Sequence, residues 1–521
     1  MKKIKVGIDF GTSQTKICSR NIDNDQNQFV FHKFSFNDDY SLPTTISVEK
    51  SGKCLFGITA PNSIRFFKMK ALFSENEFYK NQLTHSIKFD LKNHPEICCI
   101  LYLCYCILDI KSTYKIKTDQ PNEKKSILSR FFKNKSVSDS IEDSRQTLSH
   151  QFHFTVGIPT RYDWTPEEHK RRSLQYEMLY LALELSNSYE NLNTYLEDNL
   201  KNYLDKIRVI YVTFLNIEKK DLLDFYASKN IFIVAETTAG IFVLLNRFQR
   251  TLESLRGNYR AIEKFKKSFL GNYITLDVGA GTTDVSFFSL TTDRNRIRLD
   301  YHASETIDYA SNFLIRDYLK LRDNLDEVSE DDIATFNFLI DDKIWNTALG
   351  YSRTILNKRI RSKILQGLLE KYANSFRNNW QFDENNTKAK GCKVYGGGSK
   401  LNAFARGQIE LHNQGVLVYN PALTVTTEIH PLIEGNGAEY LTNIEFINTN
   451  GSPFKKKELN KVIERIHYLN TALGLCMVDN LNNPNALQAY RKNHSTLIIP
   501  ANNEGYDEGM IQYDIFNRDW L

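Results

Sequence analysis

The stretch that most constrains this chain is Ile274 to Ser289, ITLDVGAGTTDVSFFS. An apolar run leads into Asp277, and the small residues Gly279, Ala280 and Gly281 make a bend. Hydroxyls follow at Thr282 and Thr283, and a second acid, Asp284, opens another alternating apolar run. That pattern spells a strand, a tight turn and a returning strand. A bend free of bulky side chains lets backbone N–H groups gather around an anion, while acids at its edges hold a hydrated cation. Phosphate with magnesium is the tenant that suits such chemistry. Val6 to Ser19, VGIDFGTSQTKICS, repeats the plan with Asp9, Gly11, Thr12 and Ser13. Two such hairpins imply a duplicated architecture gripping one nucleotide from both sides.

At 521 residues the chain exceeds one ordinary core, so about two to four domains or subdomains are expected. Its 41% hydrophobic and 25% charged residues are those of a soluble globular protein. A formal charge of +5 among 67 basic and 62 acidic side chains points to no particular partner and does not require nucleic-acid binding. MKKIKVGIDFGT interrupts with a carboxylate and glycines the apolar run that a secretory signal needs. Ile97 to Ile110 is apolar over about 14 residues and contains Asp109, short of the roughly 20 that span a bilayer. A cytoplasmic protein with no membrane association is therefore expected, its cysteines reduced. Cys98, Cys99, Cys104 and Cys106 crowd into ICCILYLCYCIL without the paired spacing of a zinc site, which reads as core packing.

Along the chain, Phe29 to Phe36 and Leu42 to Val48 read as strands, with a Ser51-Gly52-Lys53 turn before Cys54. Lys68 to Leu72 reads as helix or loop, and Pro95-Glu96 opens an apolar helix to about Ile110. Residues 111–150 turn polar and read as a surface insert; its basic part, Lys124 to Lys135 with Phe131 and Phe132, reads as a solvated face in preference to a nucleic-acid or acidic-lipid patch, because an acidic block follows it. Phe152 to Ile158 is a strand, Trp164-Thr165-Pro166 starts a helix running through Leu185, and Val209 to Leu215 and Ile231 to Ala235 read as further strands. Helical patterns at Ile307 to Leu321 and Ile355 to Phe376 flank an acidic surface segment, Leu325 to Asp342. Cys392 to Tyr395 is a strand that ends at Gly396-Gly397-Gly398-Ser399, a glycine triplet where a ligand can approach backbone at a helix start. Strands alternating with helices make an α/β protein with mixed sheets.

In this order the motifs resemble the actin-like ATPase superfamily, and within it the nucleotide-binding domain of the seventy-kilodalton heat-shock chaperones. VGIDFGTSQTKI looks like the first phosphate motif, LDVGAGTTDVS like the second and VYGGGSKL like the adenosine motif. TVGIPTRYDWTPEEHKRR and IVAETTAGIFVLL resemble the approach to the interlobe connection and the connection itself, and LNTALGL resembles a closing helix returning to the first lobe. The resemblance implies a two-lobed fold of duplicated ribonuclease-H-like mixed sheets with flanking helices. Lobe I would span 1–236, lobe II 237–465 with an insert at 424–465, the closing helix 466–480 and a tail 481–521.

Carried over residue by residue, the resemblance implies ATP or ADP with magnesium, Asp9 and Asp284 facing the ion through water. Gly11, Thr12, Ser13, Gly279, Ala280, Gly281, Thr282 and Thr283 would lie along the phosphates, and Gly396, Gly397, Gly398 and Ser399 along the nucleoside. Lys70, in FKMKALF, falls at the catalytic lysine, and Glu236 and Asp277 at the carboxylates near the attacking water. The expected activity is slow ATP hydrolysis driving a conformational switch or a divergent chaperone-like regulator with a protein partner or client. The alternatives are a filament-forming relative, a small-molecule kinase and a nonhydrolysing pseudo-enzyme. Three departures stand out: Ala280 replaces a glycine, Thr237 replaces the interlobe proline, and paired glycines are missing around Ser304 to Leu314. The residues after LNTALGL are too few for a β-sandwich peptide-binding domain with a lid, so an ordinary refolding chaperone is not expected.

Overall fold

The computed structural model describes residues 2–66 with short breaks, Met69, 95–119, 150–158, 166–216, 222–236, 239–243, 252–324 with short breaks and parts of 327–333. It also describes the pieces 389–396, 428–429, 445–446, 469–477 and 495–498. Lys70, Thr237, Gly397 to Ser399, the basic stretch 124–135 and the helical pattern 355–376 lie outside the described residues.

Two mixed sheets organise the chain. In the first, β1 (Lys2–Phe10), β2 (Gln14–Asn21) and β3 (Gln28–Phe31) form an antiparallel meander. On the other side of β1, β8 (His150–Ile158) and then β9 (Ile231–Ala235) add in parallel. The second sheet repeats this path: β10 (Gly271–Val278), β11 (Thr283–Asp293) and β12 (Arg296–Ile307) meander, while β13 (Ala389–Tyr395) and β14 (Glu428–Ile429) lie parallel to β10. Five strands thus recur in the same order and the same senses, β3-β2-β1-β8-β9 against β12-β11-β10-β13-β14. The expected duplicated α/β architecture of mixed sheets is present. A small third sheet of β5 (Ile46–Val48), β6 (Cys54–Phe56) and β7 (Ile64–Phe66) stands beside the first.

Alternation along β1 sends Ile4, Val6, Ile8 and Phe10 into an apolar core built with α1 (Pro95–Asp119) and α2 (Pro166–Asn187). Cys98, Cys99, Cys104 and Cys106 are buried in that core as free thiols, as the packing reading expected, and burial raises each of them. The charge inside α1 is partnered: Asp109 Oδ2 lies 3.1 Å from His32 Nε2 and accepts the Ser35 N–H at 3.3 Å. Further helices are α3 (Leu192–Leu196), α5 (Leu222–Ser228), α6 (residues 239–243) and α7 (Tyr259–Phe269), and residues 469–477 form α9 on the opposite face of β1.

Several expected boundaries change. α1 continues to Asp119, into the stretch expected as an insert, because Tyr114 is buried and Lys111 Nζ donates to Ser186 Oγ and Asn187 Oδ1, both at 2.9 Å. Its Glu96–Tyr114 window is long and apolar enough to cross a membrane, yet 83% of it is buried against the rest of the protein. Val209 to Leu215 is not a strand but the end of the helix α4 (Leu200–Leu215). The Asn199 side chain accepts the Asn202 N–H at the helix start, and Tyr203, Leu204, Ile207 and Phe214 bury one face. Val209, Val212 and Leu215 stay exposed, so a β-branched run here follows the helical period set by the capped start. Phe29 to Phe36 shortens to β3, and Leu42 to Val48 divides into β4 (Leu42–Pro43) and β5 around Thr44 and Thr45. Within the stretch expected as a second insert, β14 completes the second sheet and β15 (Glu445–Phe446) extends the first beyond β3. In the stretch expected as a tail, β16 (Ser495–Ile498) pairs with β12.

Candidate functional site

The two hairpin bends face each other. A Cβ placed on Gly281 would come within 2.9 Å of Thr12 Cγ2, so the second bend approaches the first closely enough that an added methyl would have to displace the Thr12 side chain. The first bend, Gly11 to Ser13, is held from behind. The Thr44 N–H donates to Ser13 O at 2.9 Å, Thr15 Oγ1 and Thr44 Oγ1 lie 2.9 Å apart, and Tyr102 of α1 donates to Pro43 O at 3.0 Å. The second bend is closed by Gly279 N–H to Thr282 O at 2.9 Å. Its outer carbonyls are taken by α8 (Ser311–Asp323): Asn312 N–H donates to Ala280 O at 2.8 Å, and Ser311 N–H and Oγ donate to Gly279 O at 3.3 and 3.0 Å.

That contact satisfies a helix start that lacks the expected paired glycines. Ala310 at the helix start makes no side-chain cap, and the orphan N–H groups of the first turn find the carbonyls of the bend instead. It also shows Ala280 accommodated, since its carbonyl is used and its backbone is not left-handed. Among the described residues, the amide N–H groups of Thr12, Ser13 and Gly281 have no acceptor. Unused donors on two opposed bends are what an anion cradle requires. Thr283, by contrast, is fully buried at the start of β11, opposite Val278, and belongs to the ladder rather than to the bend.

Four acids converge behind the bends. Asp9, Glu236, Asp277 and Asp284 are all buried. Asp277 and Asp284 are direct cross-strand partners on β10 and β11, an arrangement of like charges that destabilises a bare sheet. Burial, then the charges of Glu236, Asp284 and Asp9, push the Asp277 carboxyl well above the usual carboxylate range, opposed by a hydrogen bond from Thr471 Oγ1 to Oδ2 at 3.0 Å. In the first hairpin the equivalent register position holds Lys16, whose Nζ sits 2.9 Å from Asp9 Oδ2. Among the described residues no three acids gather tightly enough to chelate a bare ion. Buried acids facing one another fit a hard divalent cation that keeps part of its water shell.

The expected site residues that the structure describes, Asp9, Gly11 to Ser13, Glu236, Asp277, Gly279 to Thr282 and Asp284, are brought into this one cleft. Gly396 follows directly on β13, beside β10, with φ of 88°, a left-handed turn that glycine adopts without strain. Lys70 and Gly397 to Ser399 lie outside the described residues. Lys16, Thr471 and Ser311-Asn312 are additions. Lys16 was accessible from hairpin register, which sets position 16 opposite 9, whereas Thr471 depends on a contact across 194 positions and carries no local signal.

No protein-family model matches this chain, and no curated protein matches it. Among solved structures, MreB5 of Spiroplasma citri bound to ADP is similar at 12% identity, covering 77% of this chain and 86% of that one, with a TM-score of 0.31. A non-polymerisable quadruple mutant of pCBH ParM is similar at 15% identity, covering 77% and 91%, with a TM-score of 0.32. Likenesses of that extent leave fold and chemistry to be argued from this chain's own strands and side chains.

Proposed function

We propose that the chain is a magnesium-dependent, ATP-binding protein of the actin-like ATPase type, hydrolysing ATP slowly and using the cycle as a conformational switch. The observation that carries this reading is the pair of opposed glycine bends with unused amides, Gly281 against Thr12, in front of four buried acids. The bends Gly11 to Ser13 and Gly279 to Thr282 bind the phosphate chain from its two sides through the unused amides of Thr12, Ser13 and Gly281, with Lys16 adding positive charge beside the first bend. Asp9 and Asp284 would hold a magnesium ion through its water shell, and the ion would neutralise phosphate charge. Asp277 and Glu236 orient the attacking water, and Lys70 supplies charge near the γ-phosphate. Gly396 to Ser399 are assigned to nucleoside binding.

Because one bend belongs to each sheet, filling the cleft draws the sheets together and emptying it lets them part, a hinge motion that a protein partner reads. The proposed setting is cytoplasmic, without membrane or nucleic acid. Product analysis separates the enzymatic readings: release of inorganic phosphate supports the hydrolase, whereas transfer to an added sugar or acid assigns a kinase. Sedimentation separates the mechanical ones. Pelleting in ATP and not in ADP assigns a filament-forming ATPase, and an unchanged soluble fraction assigns a switch read by other proteins, chaperone-like or regulatory.

A further inference from the structure

We propose that Thr471 is a positioning residue for Asp277, through which α9 couples the first sheet to the reacting end of the cleft; this rests on the hydrolase reading above. α9 is fastened to β1 of the first sheet and to α6. A Cβ on Gly7 of β1 would meet Ala472 O and Cys476 N, each at 2.6 Å. A Cβ on Gly474 would fall 1.8 Å from Ala239 O of α6, so helix and helix touch backbone to backbone. Asn470 Nδ2 lies 3.5 Å from Gly240 O, and Cys476 Sγ lies 3.8 Å from Lys5 O. From this clamped helix Thr471, itself 4% exposed, donates to Asp277 Oδ2 on the second sheet at 3.0 Å.

The chemistry gives that bond a purpose beyond packing. Asp277 is surrounded by Glu236, Asp284 and Asp9, whose charges repel it. Among the described residues Thr471 is its one hydrogen-bond donor. With Oδ2 fixed, the carboxylate has a single orientation, and Oδ1 is the atom left to align a water. Positioning of this kind acts on the rate and not on nucleotide binding, because the phosphate contacts belong to the two bends. A shift of α9 relative to β10 then changes turnover without touching the nucleotide, and anything that moves the two sheets apart breaks the same bond.

The test uses the full chain with Thr471→Val, which keeps shape and removes the hydroxyl, and Thr471→Ser, which keeps the hydroxyl. Phosphate release in magnesium and ATP gives kcat and KM, and calorimetry gives nucleotide affinity. The expected result is a fall in kcat of about 10- to 100-fold for Val with affinity unchanged within about twofold, and recovery to near wild type for Ser. On an Asp277→Asn background, Thr471→Val should add little further loss, since the two act as one unit. Three results overturn the inference alone: wild-type turnover matched by Val, a Val defect that Ser does not repair, or a defect in affinity rather than kcat. A wild-type protein that binds nucleotide but releases no phosphate overturns the hydrolase reading, and this inference with it.

Discussion

Lys5 offers a quantitative check on the first sheet. It is 1% exposed on the middle strand β1, its register partner on β2 is Arg20, and burial followed by the Arg20 charge lowers its pKa to about 7 from the ordinary 10.5. The folded protein therefore gives up this proton near pH 7, while the unfolded chain keeps it to 10.5. Between those values the unfolded state holds more protons, so stability rises with pH across the window, and below pH 7 the whole penalty of a buried ammonium is present. At about 1.4 kcal/mol per pH unit the gap corresponds to nearly 5 kcal/mol at pH 6 and about 2 kcal/mol at pH 9. Lys5→Met replaces the side chain with an unbranched one of similar length and no charge. Reversible urea unfolding at both pH values should show the variant more stable, with its advantage over wild type about 3 kcal/mol larger at pH 6 than at pH 9. An advantage independent of pH, or a variant less stable at both, would refute the burial and charge argument.

Other substitutions probe the cleft. Asp277→Asn and Lys70→Ala should each lower phosphate release by about 100-fold or more while nucleotide affinity in calorimetry changes little; unchanged turnover in both removes the catalytic assignments. Gly281→Ala puts a methyl against Thr12 and should weaken ATP binding by about tenfold without lowering the melting temperature, whereas affinity equal to wild type would show that the two bends do not close on one ligand. Gly474→Ala drives a methyl into Ala239 O and should destabilise the fold by about 1–3 kcal/mol in urea, and an unchanged midpoint would separate α9 from α6.

The parts of this fold legible in the sequence are those whose signal is local. The hairpins around Asp9 and Asp277 are read because alternation of period two and a glycine bend lie within a few residues of each other. The buried cysteines of α1 are read because a solid apolar run has nowhere to go but a core. Misread elements obey longer-range rules. The run Val209 to Leu215 has strand composition, but it continues a turn already started at Asn199, and helix propagation outweighs the modest cost of β-branched residues. β14 and β15 are two residues each, too short to show any alternation, and exist only because an edge strand waits for them. In the site, carboxylates and glycines were visible by type and spacing. The supporting contacts from Ser311, Asn312 and Thr471 were not, because a hydrogen bond formed between distant segments leaves no period in the sequence.

Calorimetric titration of the purified chain with ATP and with ADP, in the presence and absence of magnesium, tests the central claim most directly. The proposed clamp of two opposed bends predicts one nucleotide bound per chain, affinity strengthened by magnesium, and loss of that magnesium dependence when Asp9 and Asp284 are both replaced by asparagine. Absence of heat for either nucleotide in magnesium, with the protein shown to be folded, would contradict it.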